Sequence, residues 1–488
     1  MPSVHWPIIK SLLSAPFRVR VTDDQRSWRG IELLAASQHI AAEIARLSST
    51  RTVGMMLPSG GAFPAAALAA WTLGRVCVPL NFLLRKDELQ YVIDDCGTDV
   101  IVTASPMLEH LGFVPERVKV ILLDKLNFKS PPELRWPKRA ETDDLAVLIY
   151  TSGTSGRPKG VMLSHGNIAA NISQYRRAVS ITTDDVMLGI LPGFHSFGFT
   201  VLTMAPLTIG CRVVYSARFM PPRVLKLIRE HKASIFVAIP SMYNALLGVK
   251  DAKPADLASM RLAVSGGEPL PMDVATRFFE RFGVRINEGY GLTETAPATN
   301  VCLPHEYRPH SVGRPLPDVR QRIVSIETGR TLGPNEDGEV RMKGPNVMQG
   351  YYKLPAETAA AFDEDGWFRT GDIGRFDSDG HLYITGRLKE MMIVGGENVF
   401  PREIEEALNK HPDVHASAVV GLNDPVRGEV PIAFVELQEG AAFSEPSLRT
   451  WCRDHLAGYK VPRDIRHVEA LPRNPTGKIM RRELKKLL

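Results

Sequence analysis

LAVLIYTSGTSGRPKGVMLS, residues 145–164, is where the architecture of this chain is decided. Its first six residues form an apolar, β-branched run that reads as a buried strand ending at Tyr150. A loop follows with Gly153, Gly156 and Gly160, four hydroxyl residues (Thr151, Ser152, Thr154, Ser155) and Lys159. Glycines let a backbone approach a ligand closely. Successive N–H groups in such a turn form an anion-binding concavity, to which hydroxyls add donors and a lysine adds charge. Together these groups suit a polyphosphate. The pattern is not GxxxxGK[ST], because Pro158 precedes Lys159 and Gly160 follows it. GVMLS reads as another strand before a helix near His165, which argues against an anion site at a helix N-terminus. The plainer reading is a Ser/Gly-rich surface loop.

Similar runs recur on both sides: VGMML at 53–57, VIVTA at 100–104, VILLD at 120–124, SIFVAI at 234–239 and RLAVS at 261–265. Helical patterns at 221–231 and 271–282 lie between some of them. Apolar runs separated by helices predict α/β sheets covered on both faces. From 311 to 386 short alternating strands, Gly and Pro take over, and SDG in RFDSDGHLYIT reads as a hairpin turn. A small β subdomain is expected there. From 388 a compact α+β unit is expected, with a helix at 401–409, strands near 415–421 and 431–437, and a helix near 444–456. Pro401 suits the first turn of its helix, where the missing N–H costs nothing.

Composition narrows the function classes. Hydrophobic residues make up 44% and charged residues 23%, as in ordinary globular proteins. The five cysteines are scattered with no CxxC pair, which predicts neither a zinc site nor disulfides and fits a reduced, cytoplasmic setting. The apolar stretch from Pro64 to Leu80 is broken by Arg75, so no transmembrane segment is expected. Peripheral membrane contact stays open, without an amphipathic anchor to support it. Lys and Arg exceed Asp and Glu by 59 to 54, too mild an excess to predict nucleic-acid binding. Residues 458–488 hold nine Lys/Arg against three Asp/Glu, so the positive charge is a property of the C-terminal segment.

Six motifs occur in order: YTSGTSGRPKG at 150–160, LPGFHSFG at 191–198, NEGYGLTET at 287–295, GWFRTGD at 366–372, GRLKEMMIVGGENVFPREIE at 386–405 and NPTGKI at 474–479. With them the chain resembles the adenylate-forming enzymes, which include acyl-CoA synthetases, peptide-synthetase adenylation domains and beetle luciferases. The resemblance implies an N-terminal core, 1–387, of two sheet-and-helix subdomains plus a β subdomain, and a mobile α+β lid, 388–488. It implies ATP, Mg²⁺ and coenzyme A as cofactors and a carboxylic acid as substrate. By this resemblance Thr151, Ser152, Gly153, Thr154, Ser155, Gly156 and Lys159 hold the β- and γ-phosphates. Glu294, beside Thr293, places Mg²⁺; Tyr290 stacks on adenine; Gly266, Gly267, Glu268, Gly289 and Gly291 border the base pocket. Asp372 accepts the ribose hydroxyls and Arg387 contacts ribose or phosphate. Lys478 bridges the substrate carboxylate and the α-phosphate, Lys389 is the hinge of the lid, and Gly395 and Gly396 lie on the face that admits the pantetheine arm. Outside the resemblance, Asp372 reads equally as a turn residue, Glu294 as a surface carboxylate and Lys478 as a solvated lysine.

His195 stands in GFHSFGF, residues 193–199, where amino-acid-activating members carry an aspartate for the substrate ammonium. A buried ammonium without that partner is costly, which argues against an α-amino acid. Val237, Ile239, Met242 and Val264 suit an apolar tail, so a medium- or long-chain fatty acid is expected. His195 itself is a candidate catalytic residue, although a histidine on an apolar run is more often part of a core. The acceptor is expected to be coenzyme A, with acyl carrier protein as the second phosphopantetheine thiol. Ile393 stands where luciferases place a second lysine. A non-catalytic nucleotide sensor is the reading from another class. The basic tail, with Arg481 and Arg482, is expected to steer an anionic acceptor.

Overall fold

A computed structural model describes residues 3–152, 157–473 and 479–488, with the side chain of residue 152 left out. Two large sheets share one core. The first has seven strands in the order Gly350–Tyr351, Pro158–Ser164, Leu145–Ser152, Val76–Pro79, Thr52–Met55, Val100–Thr103 and Lys119–Leu122. The second has nine, with Ile286–Gly291, Leu262–Ser265, Ile235–Ala238, Val186–Gly189 and Arg212–Tyr215 as consecutive parallel neighbours. Helix Ala62–Thr72 belongs to the core they share. Its residues Phe63 to Thr72 are all buried, as expected for a helix apolar all round. Trp71 fills this layer and donates its indole N–H to the Ala146 carbonyl at 3.0 Å.

The decisive stretch folds as it reads. Leu145–Ser152 pairs antiparallel with Pro158–Ser164, placing Thr151 opposite Lys159, and helix His165–Val179 follows. Ser164 caps that helix by accepting from the Asn167 N–H at 3.1 Å. Helices Pro221–His231 and Met272–Phe282 lie where the periodicity puts them.

The β subdomain is a four-stranded antiparallel sheet: Arg320–Val324, Gly338–Lys343, Phe368–Phe376 and Leu382–Arg387. The stretch 311–386 is less uniform than its composition suggests. Gly350–Tyr351 leaves this sheet and pairs with Met162 and Val161 on the edge of the seven-stranded one. Asn167 anchors the crossing by donating its side-chain amide to the Pro345 and Val347 carbonyls. The N-terminus contributes helix His5–Ser14 and strand Val19–Thr22, which pairs with Arg212–Tyr215.

After Arg387 a 3₁₀ turn, Leu388–Glu390, leads into a five-stranded sheet with helices Pro401–Leu408 and Glu445–His455. Two hydrophobic clusters, one around Val399, Ile404 and Val435, the other around Val420, Phe434 and Leu484, draw only on residues from 392 onward. This small α/β unit therefore carries its own core. All five cysteines are buried and unpaired, and among the described residues no helix is long and apolar enough to cross a membrane.

Candidate active site

Strand Ile286–Gly291 and the 3₁₀ turn Thr293–Thr295 after it bring two side-chain clusters side by side. The first is built on Asp372. This residue is 1% exposed and pairs in register with Arg387 across the strands Phe368–Phe376 and Leu382–Arg387. Tyr290 donates its hydroxyl to Asp372 Oδ2 at 2.6 Å, and Arg387 Nε lies 2.8 Å from Oδ1. Thr370 accepts the Asp372 backbone N–H at 3.0 Å and fixes the turn. Burial, with the Asp372 charge next to it, pushes the Tyr290 phenol well above its ordinary range. The Asp372 charge raises Arg387 despite its loss of solvent. The two bonds fix the Asp372 carboxylate in direction.

The second cluster is built on Glu294. Tyr351 donates its hydroxyl to Glu294 Oε1 at 2.9 Å, while its ring lies 5.3 Å from Lys159 Nζ. Burial, and then the Glu294 charge, raise the Tyr351 phenol. One tyrosine thus touches both the lysine of the glycine-rich segment and the carboxylate of the TET turn. Thr293 is buried, with its hydroxyl 3.0 Å from that of Ser196. This contact ties the turn to the LPGFHSFG segment. Arg387 also feels the charge of Glu294, so the clusters share one field.

Apolar walls adjoin them. Ser196 leads into a π-helix, Phe197–Met204, a distortion common near functional sites. Phe197 lies so close to Gly266 that a side chain there would meet its ring at 3.0 Å. Val237 and Val264 are buried, and Ile239 and Met242 partly so. Gly289 lies close to Val264, and Gly267 takes a left-handed turn at φ 86°. Glu268 is half-buried at this turn. His195 is exposed, which overturns the core-histidine reading: its ring Nδ1 lies 3.4 Å from the Phe197 N–H, on the solvent side of a buried run. Apolar neighbours in sequence do not bury it, because the chain turns at Pro192–His195 before the π-helix begins.

Lys389 follows Arg387 in the 3₁₀ turn. Loss of solvent around its ammonium, and then the Arg387 charge, hold it below its ordinary value although the residue as a whole is exposed. Gly395 and Gly396 are exposed. They have φ of 63° and 92° and close the hairpin between Met392–Val394 and Glu397–Val399, a turn that requires positive φ at both central positions. Gly153, Thr154, Ser155, Gly156, Lys478 and the side chain of Ser152 lie outside the described residues.

Arg481 is not the steering charge expected of it. Its guanidinium lies 2.8 Å from both carboxylate oxygens of Glu405 and 3.8 Å from Glu390. Lys460, Arg463, Arg466 and Lys486 also pair, with Glu403, Asp424, Asp464 and Glu483. Much of the tail's charge is spent on holding the C-terminal unit together.

Tyr351 is the site residue that the sequence left unread. Tyr351 sits in a two-residue strand too short to show any periodicity. A tyrosine next to a strand-edge glycine in GYY is the only signal it left.

The AMP-binding enzyme family matches residues 13–352, and the AMP-binding enzyme C-terminal domain matches 403–478. The chain is 34% identical to the feruloyl-CoA synthase of Amycolatopsis sp over 443 residues, covering 89% of this chain and 88% of that protein. It is 34% identical to the long-chain-fatty-acid–CoA ligase of Bacillus subtilis over 476 residues, covering 88% of this chain and 84% of that protein. Among solved structures it is 29% identical to MatB from Rhodopseudomonas palustris, covering 100% of this chain and 99% of that one. The TM-score is 0.91 for the ATP-bound form of that protein and 0.81 for its apo form.

Proposed function

The chain belongs to the AMP-binding enzyme family and is an AMP-forming acid–thiol ligase; we propose that the acid it activates is a medium- or long-chain fatty acid, and that the two clusters hold the nucleotide. ATP-dependent acyl-CoA ligation runs in two steps. The substrate carboxylate attacks the α-phosphorus of ATP and displaces pyrophosphate. The thiol of coenzyme A then attacks the acyl carbonyl of the adenylate and displaces AMP. The protein's work in the first step is mainly to position the reactants and neutralise charge.

The observation that carries the site assignment is Tyr351, which joins Lys159 to Glu294 beside the Tyr290–Asp372–Arg387 cluster. In this reading Lys159 and the hydroxyls of 151–155 face the β- and γ-phosphates. Glu294 supplies an anionic oxygen for Mg²⁺, which takes one or two carboxylates with phosphate oxygens as its other ligands. Asp372 accepts from the ribose hydroxyls, and the bond it receives from Tyr290 fixes the ring that lies along adenine. The turn at Gly266–Glu268 closes the base pocket. Lys478 brings a cation between the acid and the α-phosphate, where it relieves repulsion most in the transition state. The boundary between core and lid is drawn at Arg387, with Lys389 as the hinge. Rotation about it withdraws Lys478 and presents the Gly395–Gly396 hairpin to the thiol. The higher TM-score to an ATP-bound relative than to its apo form supports a lid placed for the first step.

The fatty-acid assignment is supported by the apolar lining at Phe197, Val237, Ile239 and Val264 and by the lack of any carboxylate in 193–199. Coenzyme A, rather than acyl carrier protein, is the proposed acceptor, since both relatives quoted are named for it. A hydroxycinnamic acid is the second reading, favoured by the aromatic ring of Phe197 packed against Gly266. ATP–pyrophosphate exchange with fatty, hydroxycinnamic, dicarboxylic and amino acids separates these. Fatty acids should support the fastest exchange. Exchange confined to hydroxycinnamic acids would replace the assignment, and no exchange with any acid would favour a nucleotide sensor.

A further inference from the structure

Far from both clusters in sequence, the N-terminal helix and the long loop after residue 126 leave apolar side chains in solvent. Helix His5–Ser14 buries His5, Ile8, Ile9 and Leu12 and turns Trp6, Lys10 and Leu13 outward at helical spacing. Leu13 is 55% exposed, and Phe17, just past the helix, is 73% exposed. In the loop, Leu134 is 83% and Trp136 85% exposed, which is rare for side chains of this size in one short segment.

These residues are one surface. The Trp136 and Trp6 rings lie 5.8 Å apart. The Arg135 N–H donates to Gln38 Oε1 at 2.7 Å, which lays the loop on helix Gly30–Leu47. Two turns before Gln38 on that helix is Ile31, itself 41% exposed, whose N–H donates to the Pro16 carbonyl at 2.9 Å, next to Phe17. The path therefore closes on itself: Trp136, Trp6, Leu13, Phe17, Ile31 and back to the loop.

The rim is basic. Residues 3–18 and 126–141 hold six Lys/Arg against two glutamates, a local excess in a chain whose net charge is only +5. Both glutamates are already paired, Glu133 with Arg135 and Glu141 with Arg139. Lys10 and Lys129 are exposed and have no carboxylate within ion-pair distance among the described residues. Tryptophan and leucine surrounded by free lysines match the boundary of a bilayer, where indole lies at headgroup depth and cations meet anionic lipid.

We propose that this surface docks the protein onto anionic phospholipid membranes, with Trp136 and Leu134 entering the headgroup region and Lys10 and Lys129 pairing with lipid phosphates. The contact is peripheral and reversible, since the patch is small and its electrostatic part is screened by salt. It does not depend on which acid the enzyme activates.

Cosedimentation with vesicles tests it. The probes are phosphatidylcholine alone and an equal mixture of phosphatidylcholine and phosphatidylglycerol. The intact protein should partition onto the anionic vesicles, with Trp fluorescence shifted to the blue, and release in high salt. Leu134→Ser with Trp136→Ser should lower the partition coefficient about tenfold or more. Lys10→Glu with Lys129→Glu should remove the preference for anionic over neutral vesicles. Both variants should keep ATP–pyrophosphate exchange with a water-soluble acid, which shows that they are folded. Three results would overturn the proposal: no binding by the intact protein, equal binding by the Leu134/Trp136 variant, or loss in that variant of a concentration-dependent dimer, which would mean that a second copy covers the patch.

Discussion

Two arginine–carboxylate pairs, one in the large body and one in the small C-terminal unit, use the same chemistry for opposite ends. Asp372 divides its oxygens between Arg387 and the Tyr290 hydroxyl and sits in the cluster that faces the proposed ligand. Glu405 gives both oxygens to Arg481 and also accepts the Val419 N–H at 2.7 Å. The first carboxylate draws its partners from two strands, Ile286–Gly291 and Leu382–Arg387, and lies beside the Glu294 cluster. The second is saturated by groups of its own unit and has nothing to offer a ligand. Burial pushes Glu405 up against the pull of Arg481, so this pair serves cohesion. Geometry around a buried pair, more than the pair itself, separates a binding group from a structural one.

Asp372→Asn should break the comparison most sharply. It keeps the shape but removes the charge that accepts hydroxyls, so kcat/KM for ATP in pyrophosphate exchange should fall about 100-fold or more. Thermal unfolding should change far less. Arg481→Leu should do the reverse. It leaves Glu405 buried without its cation and should destabilise the C-terminal unit by about 3–5 kcal/mol. Calorimetry should register that loss while equilibrium binding of ATP to the large body stays near that of the unmodified protein. Equal losses of activity and stability in both variants would erase the distinction.

Glu288 sharpens the comparison from a third side, because it is a buried carboxylate with no guanidinium bonded to it. Burial raises it to about 7, only partly opposed by Arg402 of the helix Pro401–Leu408. Its folded value lies above the unfolded one, so the native state binds the extra proton. Stability from this group is greatest below the unfolded value and is lost as pH rises through about 7. Glu288→Gln should remove that slope and should be the more stable protein at pH about 8, by about 2–3 kcal/mol. Parallel stability curves for the two proteins between pH about 5 and about 8 would refute this. The smallest effect is expected at Tyr351→Phe, which keeps the ring beside Lys159 and removes the bond to Glu294. Exchange should slow about five- to tenfold, with a higher Mg²⁺ requirement, and restored rates at high Mg²⁺ would identify Tyr351 as a positioning residue.

Much of this was legible in order along the chain. The strand–loop–strand at 145–164 and the α/β alternation follow from short-range patterning, which neighbouring residues encode by themselves. What sequence left unread depends on distance. Glu405 and Arg481 are 76 positions apart, so a count of tail charges could not reveal that they cancel. Tyr351 acts through a crossing that composition assigned to the wrong sheet. The exposed face of helix His5–Ser14 was unread for a different reason. Its mixture of Trp, Lys and Leu resembles a partly buried helix until the loop at 126–141 is seen to leave it uncovered.

The separate core of the last hundred or so residues has a consequence for descent. Val399, Ile404 and Val435 in one cluster and Leu484 in the other pack against residues that all come from position 392 onward. Mutations that repack them are judged by selection inside that unit alone, and those that repack the large body are judged elsewhere. Recombination at the segment Leu388–Glu390 would pass a whole, foldable piece from one lineage to another. Acceptor preference and acid preference can then change on different clocks.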